Sequence, residues 1–143
     1  MGSRNPKGIP SRPLVLIVDE HDDTRDLYIV GLTAFGFEAM EASDGEQAFR
    51  EAWETRPDVV VMELALPAAD GWQLIQNLKR EARTRDIPVV MLTGQVAPSV
   101  RERAEREGYA AFFTKPCLPD ALATELRQVI DRTIFHEGAR ASH

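Results

Sequence analysis

The sequence predicts an α/β fold in which helices cover both faces of a doubly wound, five-stranded parallel sheet. Two observations predict it. Short, continuous apolar runs of strand length alternate along the chain with longer segments of helical spacing. The runs are apolar throughout instead of alternating with polar residues, as strands buried on both faces require. Five such strand–helix pairs imply right-handed crossovers and one parallel sheet.

The elements follow in order. Leu14-Val-Leu-Ile-Val18 is the first strand. Asp22 to Phe35 has helical spacing, with Leu27, Val30 and Ala34 as its core stripe and Gly36 as its stop. Phe37 to Ala42 is a weaker strand. Ser43-Asp-Gly-Glu46 has the form of a capping box, opening a helix to about Thr55. Val59 to Met62 is a strand and Gly71 to Arg83 a helix. Pro88 to Leu92 is a strand with Pro at its start, where no ladder donor is lost. Pro98 to Glu107 is a polar helix closed by Gly108, Ala111 to Thr114 a strand, and Leu118 to Phe135 a last helix with Leu122, Leu126 and Val129 facing inward. Residues 1–12 and 136–143 read as disordered tails around one domain, residues 13–135.

Composition narrows the function classes. A chain of 143 residues suits one domain with a real core. A net charge of −6 argues against direct binding to nucleic acid or an anionic membrane, which needs a basic footprint. The single cysteine, Cys117, excludes an intrachain disulfide framework and a cysteine-rich zinc site. No apolar run approaches the roughly 20 residues that cross a bilayer, and no signal-peptide pattern opens the chain, so a cytoplasmic location is expected.

In a doubly wound sheet, functional groups gather beyond the carboxyl ends of the strands. The residues that end or follow apolar runs are Asp19-Glu20, Glu63, Thr93 and Lys115. Three carboxylates and one ammonium leave a local charge of about −2, which a cation, water or protons must relieve. Any one of these residues alone reads as a solvated loop residue; the four segments at matching strand ends do not.

Around them stand LIVDE (Asp19-Glu20), the loop LPAADG at 66–71 that follows Glu63, VVMLTG (Thr93-Gly94) and FFTKP (Lys115-Pro116). With all four in order, residues 13 to 134 resemble the receiver domain of bacterial two-component response regulators. The resemblance implies a flavodoxin-like (βα)5 fold of strand order 2-1-3-4-5, and a role in phosphorelay signalling as a protein-interaction switch and not as an enzyme. It implies an Mg2+ site at Asp19 and Glu20, with Glu63 and the Ala65 backbone carbonyl as further ligands. It also implies a hydroxyl at Thr93 and a lysine at Lys115 that meet a phosphoryl group, a cis Lys115–Pro116 bond, and a rotating aromatic at Phe112. Its partners would be a histidine kinase, an output protein or a second copy, through the face of the fourth helix, fifth strand and fifth helix.

One position departs from the pattern. The family's phosphate-accepting aspartate falls on Glu63, and no shift of register recovers an aspartate, since Asp58 and Asp70 lie before the strand and after the loop. Phosphoryl transfer depends on in-line geometry, and glutamate is one methylene too long for it. Its carboxylate would project toward the phosphoryl space, carrying about one negative charge where a phosphate carries nearly two. Two readings stand side by side: a phosphate mimic biased toward an active-like arrangement, and a degenerate receiver kept as an interaction surface. At Phe112 the absent hydroxyl lowers the desolvation cost of an inward rotamer, while plain strand packing of Phe112 and Phe113 explains the same pair.

The remaining residues have simpler readings. His21 is a helix-entry residue and not a metal ligand, Asp22 and Asp23 favour the dipole of the helix they open, and Trp53 and Trp72 pack. Three function classes remain open: an interaction switch without ordinary Asp phosphorylation, a working phosphotransfer receiver, and a flavodoxin-like electron carrier. The acidic Asp19-Glu-His-Asp-Asp23 segment opposes the last, because a flavin phosphate needs donors there.

Overall fold

The computed structural model describes residues 12–66, 71–94 and 97–141. Its elements are β1 (Leu14–Val18), α1 (Asp22–Ala34), β2 (Glu38–Ala42), α2 (Gly45–Thr55), β3 (Val59–Met62), α3 (Gly71–Arg80), β4 (Val89–Thr93), α4 (Pro98–Glu107), β5 (Ala111–Thr114) and α5 (Pro119–Ala141). All strand pairs are parallel and the order is β2-β1-β3-β4-β5. This is the expected doubly wound sheet. Its order reverses at β1 and β3, where a crevice opens beyond the strand ends.

The apolar runs divide their side chains between two cores. Val15, Ile17, Val59, Val61, Val90 and Leu92 face α1 and α5, where Leu122, Leu126 and Val129 are buried as expected. Leu16, Val18, Val60, Met62 and Val89 face α2 and α3. Because side chains alternate across a strand, neighbours in sequence enter opposite cores, and no polar residue is tolerated in the run. A smaller cluster of Leu64, Trp72, Met91 and Ala104 seats α4.

Several details differ from the sequence expectation. On α1 the buried stripe is Arg25, Tyr28 and Leu32, while Leu27 and Val30 are 57% and 71% exposed. The helix phase follows two polar anchors: Arg25 reaches back to the Asp19 carbonyl, and the Tyr28 hydroxyl donates to the Cys117 carbonyl. Apolar periodicity cannot register such anchors. The cap of α2 lies one residue later than expected. Asp44 accepts the Gln47 N–H at 2.8 Å, and Gln47 Oε1 accepts the Ser43 N–H at 3.0 Å. Helix α3 stops at Arg80, because the chain turns at Glu81 and the buried Thr84 hydroxyl donates to the Leu78 carbonyl. Trp72 is buried but Trp53 is 39% exposed, with the Arg83 guanidinium over its ring.

Helix α5 continues to Ala141, past the expected end at Phe135 and into the stretch read as a tail. Glu137, Ala139, Arg140 and Ala141 are ordinary helix formers, and one Gly costs a helix only about 1 kcal/mol. The expected tail at residues 1–12 lies almost wholly outside the described residues. No helix among the described residues is long and apolar enough to cross a membrane.

Candidate functional site

The site is assembled by the ends of the strand ladder. One residue past each strand, the parallel hydrogen bonding continues: Asp19 N–H donates to the Ala42 carbonyl, Glu63 N–H to the Val18 carbonyl and Lys115 N–H to the Thr93 carbonyl. These bonds fix the main chain of Asp19, Glu63 and Lys115 along one edge of the sheet. The Lys115–Pro116 bond is cis, as expected.

The Lys115 ammonium bridges two of the predicted carboxylates. Its Nζ donates to Asp19 Oδ2 at 3.0 Å and to Glu63 Oε1 at 3.1 Å. The second oxygen of each acid is also engaged. Asp19 Oδ1 accepts the His21 N–H at 2.9 Å, and Glu63 Oε2 accepts the N–H of the next residue, Leu64, at 2.6 Å. Burial lowers the Lys115 pKa, but the hydrogen bonds and charges of Asp19 and Glu63 outweigh it, and the net direction is upward. The ammonium is therefore the cation that relieves the acidic crevice.

Thr93 is fully buried at the end of β4, where its carbonyl accepts the Lys115 N–H. Glu20 is not brought in: its side chain is 42% exposed and lies 3.7 Å from His21 Nε2. His21 itself is the exposed N-terminal flank of α1, as expected. Ala65 is an exposed loop residue, and positions 67–70 of the LPAADG loop lie outside the described residues.

Mg2+ prefers octahedral oxygen coordination from one or two carboxylates with carbonyls and waters. Among the described residues no three metal-capable side chains converge. Asp19 and Glu63 share an ammonium, and Glu20 turns outward. As folded, the donors do not fit the four-ligand set of Asp19, Glu20, Glu63 and Ala65 that the resemblance implies. Glu63 places its carboxylate on Lys115 and the Leu64 amide, and Glu20 places its own beside His21.

Phe112 is half-buried and packs on the cluster of Leu64, Trp72, Met91 and Ala104, with the Arg101 guanidinium 4.8 Å from its ring centre. Phe113 packs into the core on the opposite face. Leu64 joins the two regions: its amide holds Glu63, and its side chain lies in the cluster that seats α4.

One residue of the site was absent from the sequence reading. Arg25, 8% exposed, donates through Nη1 to the Asp19 carbonyl at 2.8 Å, through Nη2 to Asp22 Oδ1 at 2.6 Å and through Nε to Glu41 Oε1 at 3.4 Å. The available signal was the Asp22/Arg25 spacing of three within an otherwise acidic segment, which is the spacing of a helical ion pair.

Comparisons with known proteins agree with this fold. Residues 15–127 match the model of the response regulator receiver domain. The chain is 36% identical over 118 residues to the phosphate regulon transcriptional regulatory protein PhoB of Escherichia coli (strain K12), covering 82% of this chain and 52% of that protein. It is 32% identical over 123 residues to the DNA-binding dual master transcriptional regulator RpaA of Synechocystis sp., covering 85% and 50%. The chain thus spans about half the length of these curated relatives. Among solved structures, the chemotaxis response regulator CheY4 of Vibrio cholerae superposes with a TM-score of 0.77 at 25% identity, covering 82% of this chain and 98% of that one.

Proposed function

This chain belongs to the response regulator receiver domain family, and from that premise we propose that it is a signalling receiver whose phosphate pocket is held by a resident carboxylate, Glu63. The observation that carries the reading is the double engagement of that side chain: one oxygen on the Lys115 ammonium, the other on the Leu64 amide. A phosphoryl group on a shorter aspartate would make demands of the same kind on a lysine and a backbone donor. Glu63 meets them with about one negative charge instead of nearly two. Ordinary phosphorylation is then absent, and the domain acts as a protein-interaction switch biased to one state, with no enzyme activity assigned to it.

Receivers in general bind Mg2+ at the phosphorylation site and engage histidine kinases and output domains. The present donor set supports no metal step. For partners, the arginines of α4 and the Arg101–Phe112 contact support the face of α4, β5 and α5. A second observation favours α1 beside it. The exposed apolar side chains Leu27, Val30 and Leu118 lie on α1 and on the loop that the Tyr28 hydroxyl ties to it. A cytoplasmic location follows from the role.

The test is intact mass after incubation with acetyl phosphate and Mg2+. The wild-type chain stays at its unmodified mass, and Glu63→Asp gains one phosphoryl mass. A phosphoryl adduct on Glu63 of the wild type supports instead the working phosphotransfer receiver, a reading favoured by the retention of Asp19, Thr93 and Lys115.

A further inference from the structure

We propose that Arg25 is a positioning residue of the pocket: by gripping the main chain of Asp19 from beneath the sheet edge, it aims the Asp19 carboxylate at Lys115. The inference rests on the reading of Asp19, Glu63 and Lys115 as the working site.

The geometry is that of a clamp. The guanidinium is almost fully buried at the head of α1 and spends its donors on three separate segments. Nη1 takes the Asp19 carbonyl at the end of β1, Nη2 takes Asp22 at the start of α1, and Nε reaches Glu41 on β2. Asp19 is consequently held at four points. Its N–H is on Ala42, its carbonyl on Arg25, Oδ1 on the His21 amide and Oδ2 on Lys115. The first and third bonds belong to the ladder and to the turn itself. Among the described residues, the Arg25 bond connects the Asp19 main chain to the body of the following helix, and so stops the turn from rotating about its ends.

The chemistry requires arginine. A planar fork of five N–H donors can span a carbonyl and two carboxylates at once, whereas an ammonium on a flexible stem cannot hold the same three directions. The placement also makes electrostatic sense. The crevice contains Asp19 and Glu63, with Asp22 and Glu41 on its α1 and β2 flank. Lys115 offsets the first two and Arg25 the others. Without Arg25, the Asp19 carbonyl loses its charged donor in a buried setting and the turn relaxes to find water.

The readout is the Lys115 ammonium, on the far side of Asp19 and touching none of the atoms of Arg25. Its protons are observed by 15N NMR at neutral pH with no metal present. In the wild type the bridged ammonium is protected from exchange with water. In Arg25→Gln that protection falls about tenfold or more, the equivalent of losing a charge-assisted hydrogen bond, while amide protection in β3 stays within about twofold. Arg25→Lys, which keeps the charge and a smaller penalty on folding, shows an intermediate loss. Should Arg25→Gln fold poorly, Arg25→Gln with Asp22→Asn and Glu41→Gln removes the unpaired acids and gives the same ammonium readout. Unchanged protection at Lys115, or a loss matched equally by the β3 amides, overturns the proposal. Phosphoryl uptake by wild-type Glu63 bears only on the mimic reading and leaves this outcome intact, so the two failures are told apart.

Discussion

Lys115 Nζ stands 3.1 Å from Glu63 Oε1, and the side chains are only 24% and 13% exposed. Such a pair is less screened than a surface ion pair, and removing one partner leaves the other charge partly buried and unpaired. Glu63→Gln is expected to lower unfolding free energy by about 1–2 kcal/mol. Lys115→Met combined with Glu63→Gln is expected to cost less than the sum of the single changes, because the groups act on each other directly. Urea unfolding of the four proteins measures the cycle. Additive costs would show that the contact contributes nothing of its own.

The same ammonium sets a pH dependence. Burial pulls the Lys115 pKa down, but hydrogen bonds from the ammonium to Asp19 and Glu63, and their charges, raise it above the ordinary lysine value. A group whose folded pKa is raised contributes its full stabilisation below the unfolded pKa, about 10.4 for lysine. That contribution is lost as pH rises through the folded value. The stability difference between the wild type and Lys115→Met should therefore stay level from neutral pH to about pH 9.5 and shrink above about 10.4. Denaturant unfolding of both proteins across that range reads it directly, and a difference that grows with pH contradicts the assignment.

Much of this pocket was legible in the sequence, and the parts that were not share a cause. Asp19, Glu63, Thr93 and Lys115 follow apolar runs, and strand ends in a parallel sheet must converge, so their proximity could be read from order alone. Where Glu63 would put its carboxylate could be argued from length. Which donor it would find besides Lys115, the Leu64 amide, could not, because that depends on the turn after β3. Glu20 sits in sequence beside Asp19 yet faces solvent, because it lies in the bend past the end of β1, where the strand no longer sets its direction. Arg25 is not legible in the sequence, because a buried arginine is rare unless paired and its partners lie on three segments.

Helix α1 shows how polar anchors override apolar spacing, and this can be measured. Leu32 is fully buried, whereas Leu27 is 57% exposed. Leu32→Ala should cost about 2–5 kcal/mol, the range for a buried leucine that leaves a cavity. Leu27→Ala should change stability by less than about 0.5 kcal/mol. Thermal or urea unfolding distinguishes them. Equal costs would restore the stripe of Leu27, Val30 and Ala34 that periodicity suggests.

The cap of α2 separates two adjacent residues in the same way. Asp44 accepts the Gln47 amide, while Ser43 interacts with the Gln47 side chain. Asp44→Ala should cost about 1 kcal/mol, the usual value of a lost N-cap. Ser43→Ala keeps its own N–H bond to Gln47 Oε1 and loses only the hydroxyl contact, so it should cost clearly less. A larger loss for Ser43→Ala would place the cap at Ser43 instead.

At Gly31, α1 closely approaches the start of α5. A Cβ added at Gly31 would fall 2.4 Å from Pro119 Cβ and 2.5 Å from Pro119 Cγ, far inside van der Waals contact. The proline ring is rigid and belongs to the first residue of α5, so neither partner can yield by a rotamer change. The helices must separate instead. That separation strains the neighbouring Tyr28–Cys117 bond and opens the core around Leu32 and Leu122. Gly31→Ala, despite the better helix propensity of alanine, is expected to destabilise by about 1–3 kcal/mol through overpacking. Pro119→Gly removes both colliding atoms, so in that background the same Gly31→Ala change should become neutral or stabilising, by up to about 1 kcal/mol. A reversal of sign between the two backgrounds, read from urea unfolding, identifies the clash as the cause. An equal loss in both would assign it to some other contact of α1.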